Sequence, residues 1–274
     1  MKRYMFLVAI AACLGTSSLK AQSIERLWEV KDNLPTPESV LFHAKNGMLY
    51  VSLIDGGASD KDGKGGIAIL NTDGSTKDAS WITGLNAPKG LAIFNDLLYI
   101  ADISSIIVVD IVSGNIVDEI SIPGSTFLND VTVDDRGIVY VSDTRDGKIY
   151  QVQNGSSSLY LENAPNVNGL KFDKGKLLAL VGTELWAIDA NKQIKVIAKG
   201  FEKGGDGLEP IGNGDYLVTC WPGIVYYVNA DGSIVKMKDV QGVMNTADLG
   251  YNPKTKIMYI PTFSNNSVIA YQLK

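Results

Sequence analysis

Histidine occurs once in this chain and cysteine twice, and no long apolar run follows the first few residues. These scarcities exclude several kinds of chemistry. A lone His43 cannot build a two-histidine metal site. A Ser-His-Asp triad would have to use it, although no G-x-S-x-G elbow presents a serine. His43 stands beside Phe42 in an alternating run, the pattern of a hydrogen-bonded strand residue. Cys13 falls in an N-terminal segment read below as removed, so no intramolecular disulfide is expected. Cys220, in "GDYLVTCWPG", reads as a small buried apolar residue. The Gly-rich "GASDKDGKGG" lacks G-x-x-x-x-G-K-[ST], and Asp60 with Asp62 lack the closing glutamate of an EF-hand loop. No stretch after the N-terminus is long and apolar enough to span a bilayer.

The opening "MKRYMFLVAIAACLGTSSLKAQ" has two early basic residues, an apolar run from Met5 to Leu14 and small residues up to Ala21. This is the form of a secretory signal peptide over residues 1–21, so a periplasmic or secreted location is expected. "IAAC" also fits a lipobox, which would anchor the protein by a lipid on Cys13. Removing Lys2, Arg3 and Lys20 takes the formal charge from −5 to −8. So acidic a chain is a poor partner for nucleic acid or anionic lipid. The remainder, residues 22–274, has the length of one large domain and is expected to act as a monomer.

Repeats define its architecture. Six segments of one kind recur: "MLYVSLID", "LLYIADIS", "IVYVSDTR", "LLALVGTE", "DYLVTCWP" and "IMYIPTFS". Each precedes a second apolar strand, such as "GIAILNTDG" or "IVYYVNADG". Unit starts near Ser39, Gly90, Asp130, Gly169, Gly207 and Leu249 put the period at roughly 40 residues after a longer first unit, which is propeller spacing. Short alternating strands without an amphipathic helix predict an all-β, six-bladed β-propeller with four-stranded blades. The last unit runs out of chain after about three strands, so "SIERLWEV" near the mature N-terminus is expected to complete it and cover its edge. The long first unit carries "IDGGASDKDGKGG" between its second and third strands.

Just before each innermost strand stand "TPESV", "APKGL", "FLNDV", "NVNGL", "GGDGL" and "TADLG". Aligned on their polar residues, these place Glu38, Lys89, Asn129, Asn168, Asp206 and Asp248 at one position of the repeat, converging on the channel mouth. Pro37 is expected to hold Thr36 extended and so to deliver Glu38 with little freedom. Ordinary turn chemistry also places Asn, Asp and Gly at such positions, with Gly where φ must be positive. Three carboxylates in a narrow mouth, however, call for a cation, a proton or Lys89 to offset their repulsion. Their oxygens are hard donors suited to Ca²⁺, Mg²⁺ or Mn²⁺. Turns on the same face contribute Asp55, Asp102, Asp143, Arg145, Trp221 and Phe263. Arg145 could contact an anion and Trp221 could stack on a ligand. Asp143 more simply braces its turn.

The six-bladed repeat with Glu38, "FLNDV", "VNGLKFD" and "GGDGL" resembles the senescence marker protein, gluconolactonase and luciferin-regenerating enzyme group. The resemblance implies one divalent metal, Ca²⁺ first and Mg²⁺ or Mn²⁺ as alternatives, held by Glu38, Asn168 and Asp206. It places Asn129 against substrate or a water on the metal. The expected function is an exported metal-dependent hydrolase of a sugar lactone or related ester. Asp206 would take up a proton, and Asn129, Lys89, Asp248, Arg145 and Trp221 would line the substrate side. Lys89 could equally pair with Glu38 or Asp248 and stand in for the metal. The alternative function is a non-catalytic propeller that binds a ligand or a protein.

Overall fold

A computed structural model describes residues 22–274. The expected leader over residues 1–21, with Cys13, lies outside the described residues. Strands and tight turns make up nearly all of the fold, and the one helical feature among the described residues is a 3-10 turn, Phe263–Asn265. The strands form six four-stranded antiparallel sheets, the six blades of a β-propeller. Their innermost strands are Pro37–His43, Pro88–Phe94, Leu128–Val133, Val167–Asp173, Leu208–Gly212 and Gly250–Asn252.

Both faces of most strands are covered, which explains why "LLYIAD" reads as an almost unbroken apolar run. Leu98 and Ile100 pack towards blade one, while Tyr99 and Ala101 pack towards blade three. The same logic builds one apolar cluster in each gap between neighbouring blades. Each fully buried Leu or Ile contributes about 1.5–3 kcal/mol, so stability is spread round the ring.

Ile24–Val30 pairs antiparallel with Val268–Leu273 and supplies the outermost strand of blade six. Trp28 fixes this closure. Its ring lies 5.8 Å from Tyr259 of blade six, and its indole N–H donates to Thr72 O of blade one at 3.1 Å. Gly74, at φ +89°, passes so close beneath the indole that a Cβ there would sit 2.9 Å from it. On the upper face, the insertion in blade one reaches over its neighbours: Lys61 donates to Ser104 Oγ of blade two, and Ser59 Oγ accepts from Arg145 of blade three.

A bulge repeated at the start of the innermost strands positions the site. Pro37 pairs with Leu53 and the next paired residue is Val40, opposite Val51, so the inner strand carries one extra residue. The same step occurs at Pro88/Leu91, Leu128/Val131 and Val167/Leu170. Such a bulge bends the strand and re-aims its side chains. Ser52 and Ser142 hydroxyls accept from the displaced N–H of Ser39 and Asp130, each at 2.9 Å, and Thr219 Oγ1 serves Gly207 likewise. The approach to blade one departs from the sequence expectation. Thr36 is not extended but left-handed, at φ +43°, with its N–H donating to Asn266 Oδ1 and its carbonyl accepting from Ile54 N–H. Those two bonds over-determine a conformation that β-branched residues rarely adopt.

Candidate functional site

Glu38, Lys89, Asn129 and Asn168 occupy the first bulge residue in four blades and Asp206 the matching place in a fifth, two residues before Leu208, as their spacing implies. The sixth is Ala247, not Asp248. Ala247 N–H donates to Pro261 O just as Asp206 N–H donates to Thr219 O, and Asp248 bridges Ser39. Asp248 therefore belongs with Ser39, Gly90, Asp130, Gly169 and Gly207, one residue deeper. Leu249, the counterpart of Leu208, sets the alignment of "TADLG"; its carboxylate does not. The glycines of this second position are not there for positive φ, which none of them has. A Cβ on Gly169 would lie 2.1 Å from Asp206 O, so glycine lets neighbouring inner strands close up.

The mouth is buried and only partly satisfied. Glu38, Lys89 and Asp206 are 5%, 1% and 3% exposed. Asn168 Nδ2 donates to Asp206 Oδ1 at 2.6 Å, yet Asp206 Oδ2 and Glu38 Oε2 have no hydrogen-bond partner among the described residues. Burial, then the neighbouring Asp206 and Asp248 charges, push the Glu38 carboxyl well above its ordinary range. Burial and Asp248 push Asp206 up to about 8 against the pull of Asn168. Lys89 does not take the role of a counter-ion in contact: its Nζ donates to Ala87 O at 2.8 Å and lies 4.6 Å from the Phe127 ring centroid. Among the described residues, no carboxylate oxygen lies within 4.0 Å of it. Burial lowers its pKa, with Glu38 and Asp102 acting in the opposite sense.

These residues fit a hard divalent cation by donor chemistry. Two orphaned carboxylate oxygens and an amide are all oxygen-bearing groups, with no thiolate or imidazole among them. No group of three or more His, Cys, Asp or Glu gathers as a ready metal cluster among the described residues. The fit therefore depends on Asn168 as the third donor, and on its amide turning its oxygen inward.

Below the mouth lies a second polar layer. Asp130 accepts from Leu170 N–H of the next blade at 2.6 Å and from Val131 N–H at 2.7 Å, and Asp248 accepts from Ser39 Oγ. Lys171 pairs with Glu209 across blades four and five at 2.7 Å. The layer surrounds a cavity of about 10 Å³, room for a single water. Asp130, Lys171 and Glu209 were not singled out from the sequence, although each stands one or three residues after a ring position, in "NDV", "NGLK" and "DGLE". Burial raises the Asp130 carboxyl well above its usual value and lifts Asp248 to about 7.

On the rim, Arg145 sits 5.0 Å from the same Phe127 ring, and Trp221, 43% exposed, makes an edge contact of 5.4 Å with Phe263. Asp143 accepts from the Thr126 and Phe127 amides and Asp102 from those of Asn86 and Ala87, so both brace the approach to a bulge. His43 ends its strand beside Tyr50, away from the mouth. Cys220 is fully buried and its thiol is pushed up to about 12 by burial, consistent with a packing role.

No protein-family model matches the chain, and no curated protein does. Solved structures do. A streptogramin B lyase matches 92% of this chain and 98% of its own at TM-score 0.69 and 11% identity. A catalytically inactive histidine-to-alanine variant of virginiamycin B lyase from Staphylococcus aureus, with quinupristin, matches 92% of this chain and 100% of its own at TM-score 0.64 and 13% identity. A putative gluconolactonase matches 92% of both chains at TM-score 0.69 and 14% identity. At these identities the likeness extends to the propeller fold.

Proposed function

We propose that the protein is an exported, monomeric, metal-dependent hydrolase that opens a sugar lactone or related ester at the channel mouth. The observation that carries this reading is the pair of buried, unpartnered carboxylate oxygens, Glu38 Oε2 and Asp206 Oδ2, converging beside Asn168. Glu38, Asn168 and Asp206 would hold one divalent cation, Ca²⁺ first and Mg²⁺ or Mn²⁺ next. Such a cation supplies Lewis-acid polarisation of an ester carbonyl. The Asp206 carboxylate would take the proton as water adds to the carbonyl and return it to the ring oxygen as the C–O bond breaks, so that this oxygen leaves as a hydroxyl. Asn129, whose amide donates to Thr144 Oγ1, stands on the substrate side with Arg145 and Trp221, and Asp248 lies beneath them.

A lyase reading, suggested by two structural neighbours, meets an obstacle. The inactive S. aureus lyase lacks a histidine, whereas the one histidine here lies five residues along the strand from Glu38, roughly 15 Å by strand rise. Near-complete burial of Glu38, Lys89 and Asp206 favours a second reading, a non-catalytic binding propeller. Titration calorimetry with Ca²⁺, Mg²⁺ and Mn²⁺, followed by hydrolysis assays on aldonolactones with each, separates the two. Cation binding with cation-dependent hydrolysis supports the enzyme; no binding heat and no turnover with any cation sinks it.

A further inference from the structure

We infer that the blade-two-to-three side of the mouth is a carboxylate subsite, so that the ligand is a sugar-acid lactone or its open acid. The inference rests on the hydrolase reading only for where the reactive end of that ligand lies. Its ground is an imbalance of charge. Thirty acidic residues face twenty-five basic ones in the chain; exposed lysines such as Lys77, Lys195 and Lys199 join no ion pair and, in solvent, need none, whereas the half-buried Lys171 has Glu209. Lys89 and Arg145, beside the unpartnered carboxylates of the mouth, join no ion pair among the described residues.

Lys89 is the sharper anomaly. Its ammonium is almost wholly buried and has a single acceptor, Ala87 O, so two of its three N–H groups have no partner among the described residues. Burying an unpaired charge is costly unless something compensates. Of the acids nearby, Glu38 attracts it without contact, while Asp102 is engaged with the Asn86 and Ala87 amides and Asp143 with those of Thr126 and Phe127. Partial compensation comes from Phe127, whose ring attracts both cations.

Arg145 supplies the accessible half. Its guanidinium is held by two long contacts, to Thr126 O at 3.4 Å and to Ser59 Oγ at 3.2 Å. The rest of its planar fork stays available for a carboxylate, which it matches in two-pronged geometry. Ser59 comes from the insertion of blade one, which gives that insertion a role: it props the arginine over the mouth. The mouth is thus bipolar, with Glu38 and Asp206 on one side and Arg145 backed by the buried Lys89 charge on the other. A ligand matching it carries its carbonyl towards the acids and a carboxylate towards Phe127.

The test compares D-glucarate with D-glucitol, which shares its six-carbon chain but is neutral. Calorimetry on the cation-saturated mature protein at low salt should show glucarate binding at least tenfold tighter, with the advantage shrinking as salt is raised. Arg145→Gln and Lys89→Met should each remove most of that advantage and leave glucitol unchanged, while Arg145→Lys keeps part of it. Ligation of glucarate by the cation itself would survive these variants, so an advantage untouched by both Arg145→Gln and Lys89→Met overturns the subsite. Equal affinity for the two compounds in the wild type also overturns it. Arg145 is exposed, so its variant remains informative should Lys89→Met fail to fold. Turnover separates this inference from its premise. If no lactone is hydrolysed but the charge-dependent advantage persists, the reaction fails and the subsite stands. If neutral and acidic lactones react alike and no advantage is measured, the reaction stands and the subsite fails.

Discussion

Two polar layers of one channel, a few ångströms apart, put the same residue types to opposite uses. In the lower layer Asp130 caps two backbone N–H groups, Asp248 takes the Ser39 hydroxyl, and Lys171 faces Glu209. In the upper layer Glu38 Oε2 and Asp206 Oδ2 accept nothing, and Lys89 donates only to a carbonyl. Buried polar groups are normally satisfied, and each exception asks for a reason. The satisfied layer staples neighbouring blades together. The unsatisfied one stores desolvated charge that a ligand can relieve, and the bulge provides both, because its two residues aim one into the mouth and one towards the next blade.

The contrast is tested most severely by exchanging the roles. Asp206→Asn should lower any lactone turnover about 10²- to 10⁴-fold, since an amide cannot take up the proton of the attacking water. Steady-state assays check this, and thermal unfolding of the same variant should show little loss of stability. Asp130→Ala should do the reverse. It leaves the Leu170 and Val131 N–H groups buried without acceptors and is expected to cost about 2–4 kcal/mol. A midpoint shift in denaturant with an unchanged slope would register that cost. If Asp130→Ala were neutral in stability, the lower layer would not be a staple.

Cation binding sharpens the comparison further. A cation at one hundred times its dissociation constant stabilises the folded state by about 2.7 kcal/mol. Glu38→Gln should abolish that gain while leaving the cation-free protein as stable as wild type, because burial already favours the neutral form of the Glu38 carboxyl and the amide keeps its shape. Lys171→Met, in the lower layer, should leave the gain intact and cost about 1–3 kcal/mol by stranding Glu209. That figure is set below the usual range for broken buried pairs because the Lys171 side chain is 28% exposed to the channel.

Much of this was legible in advance. The period of strands, the blade count and the closing N-terminal strand follow from where apolar runs and turns fall, and those depend on local chemistry. Five ring positions were legible for the same reason. Asp248 was not, because a bulge shifts the inner strand by one residue without leaving a residue type that marks it. The same shift concealed Lys171 and Glu209, whose phase relative to the ring changes at the bulge. Lys89 was placed correctly, but which atom its ammonium meets depends on Phe127 and Ala87, brought there by the turn entering blade three and the turn entering blade two. Such contacts belong to the fold and leave no pattern along the chain.

The last expected effect concerns protons. With divalent cations chelated, Asp206 and Asp248 titrate at about 8 and about 7, both displaced upward first by burial. In the unfolded chain an aspartate titrates near 3.9. Between those values the folded protein holds protons that the unfolded chain has released, so unfolding free energy falls as pH rises through this window. Each extra proton held contributes a slope of at most about 1.4 kcal/mol per pH unit. Denaturant midpoints at pH 5, 6, 7 and 8 in chelator should therefore decline. Asp206→Asn should flatten the decline by removing one of the groups that hold a proton, while Glu38 and Asp130, also raised well above their ordinary range by burial, carry the rest. Saturating cation should flatten it too, because a bound cation replaces the proton as the partner of the mouth carboxylates. A decline of equal steepness in Asp206→Asn would show that Asp206 holds no proton in this window.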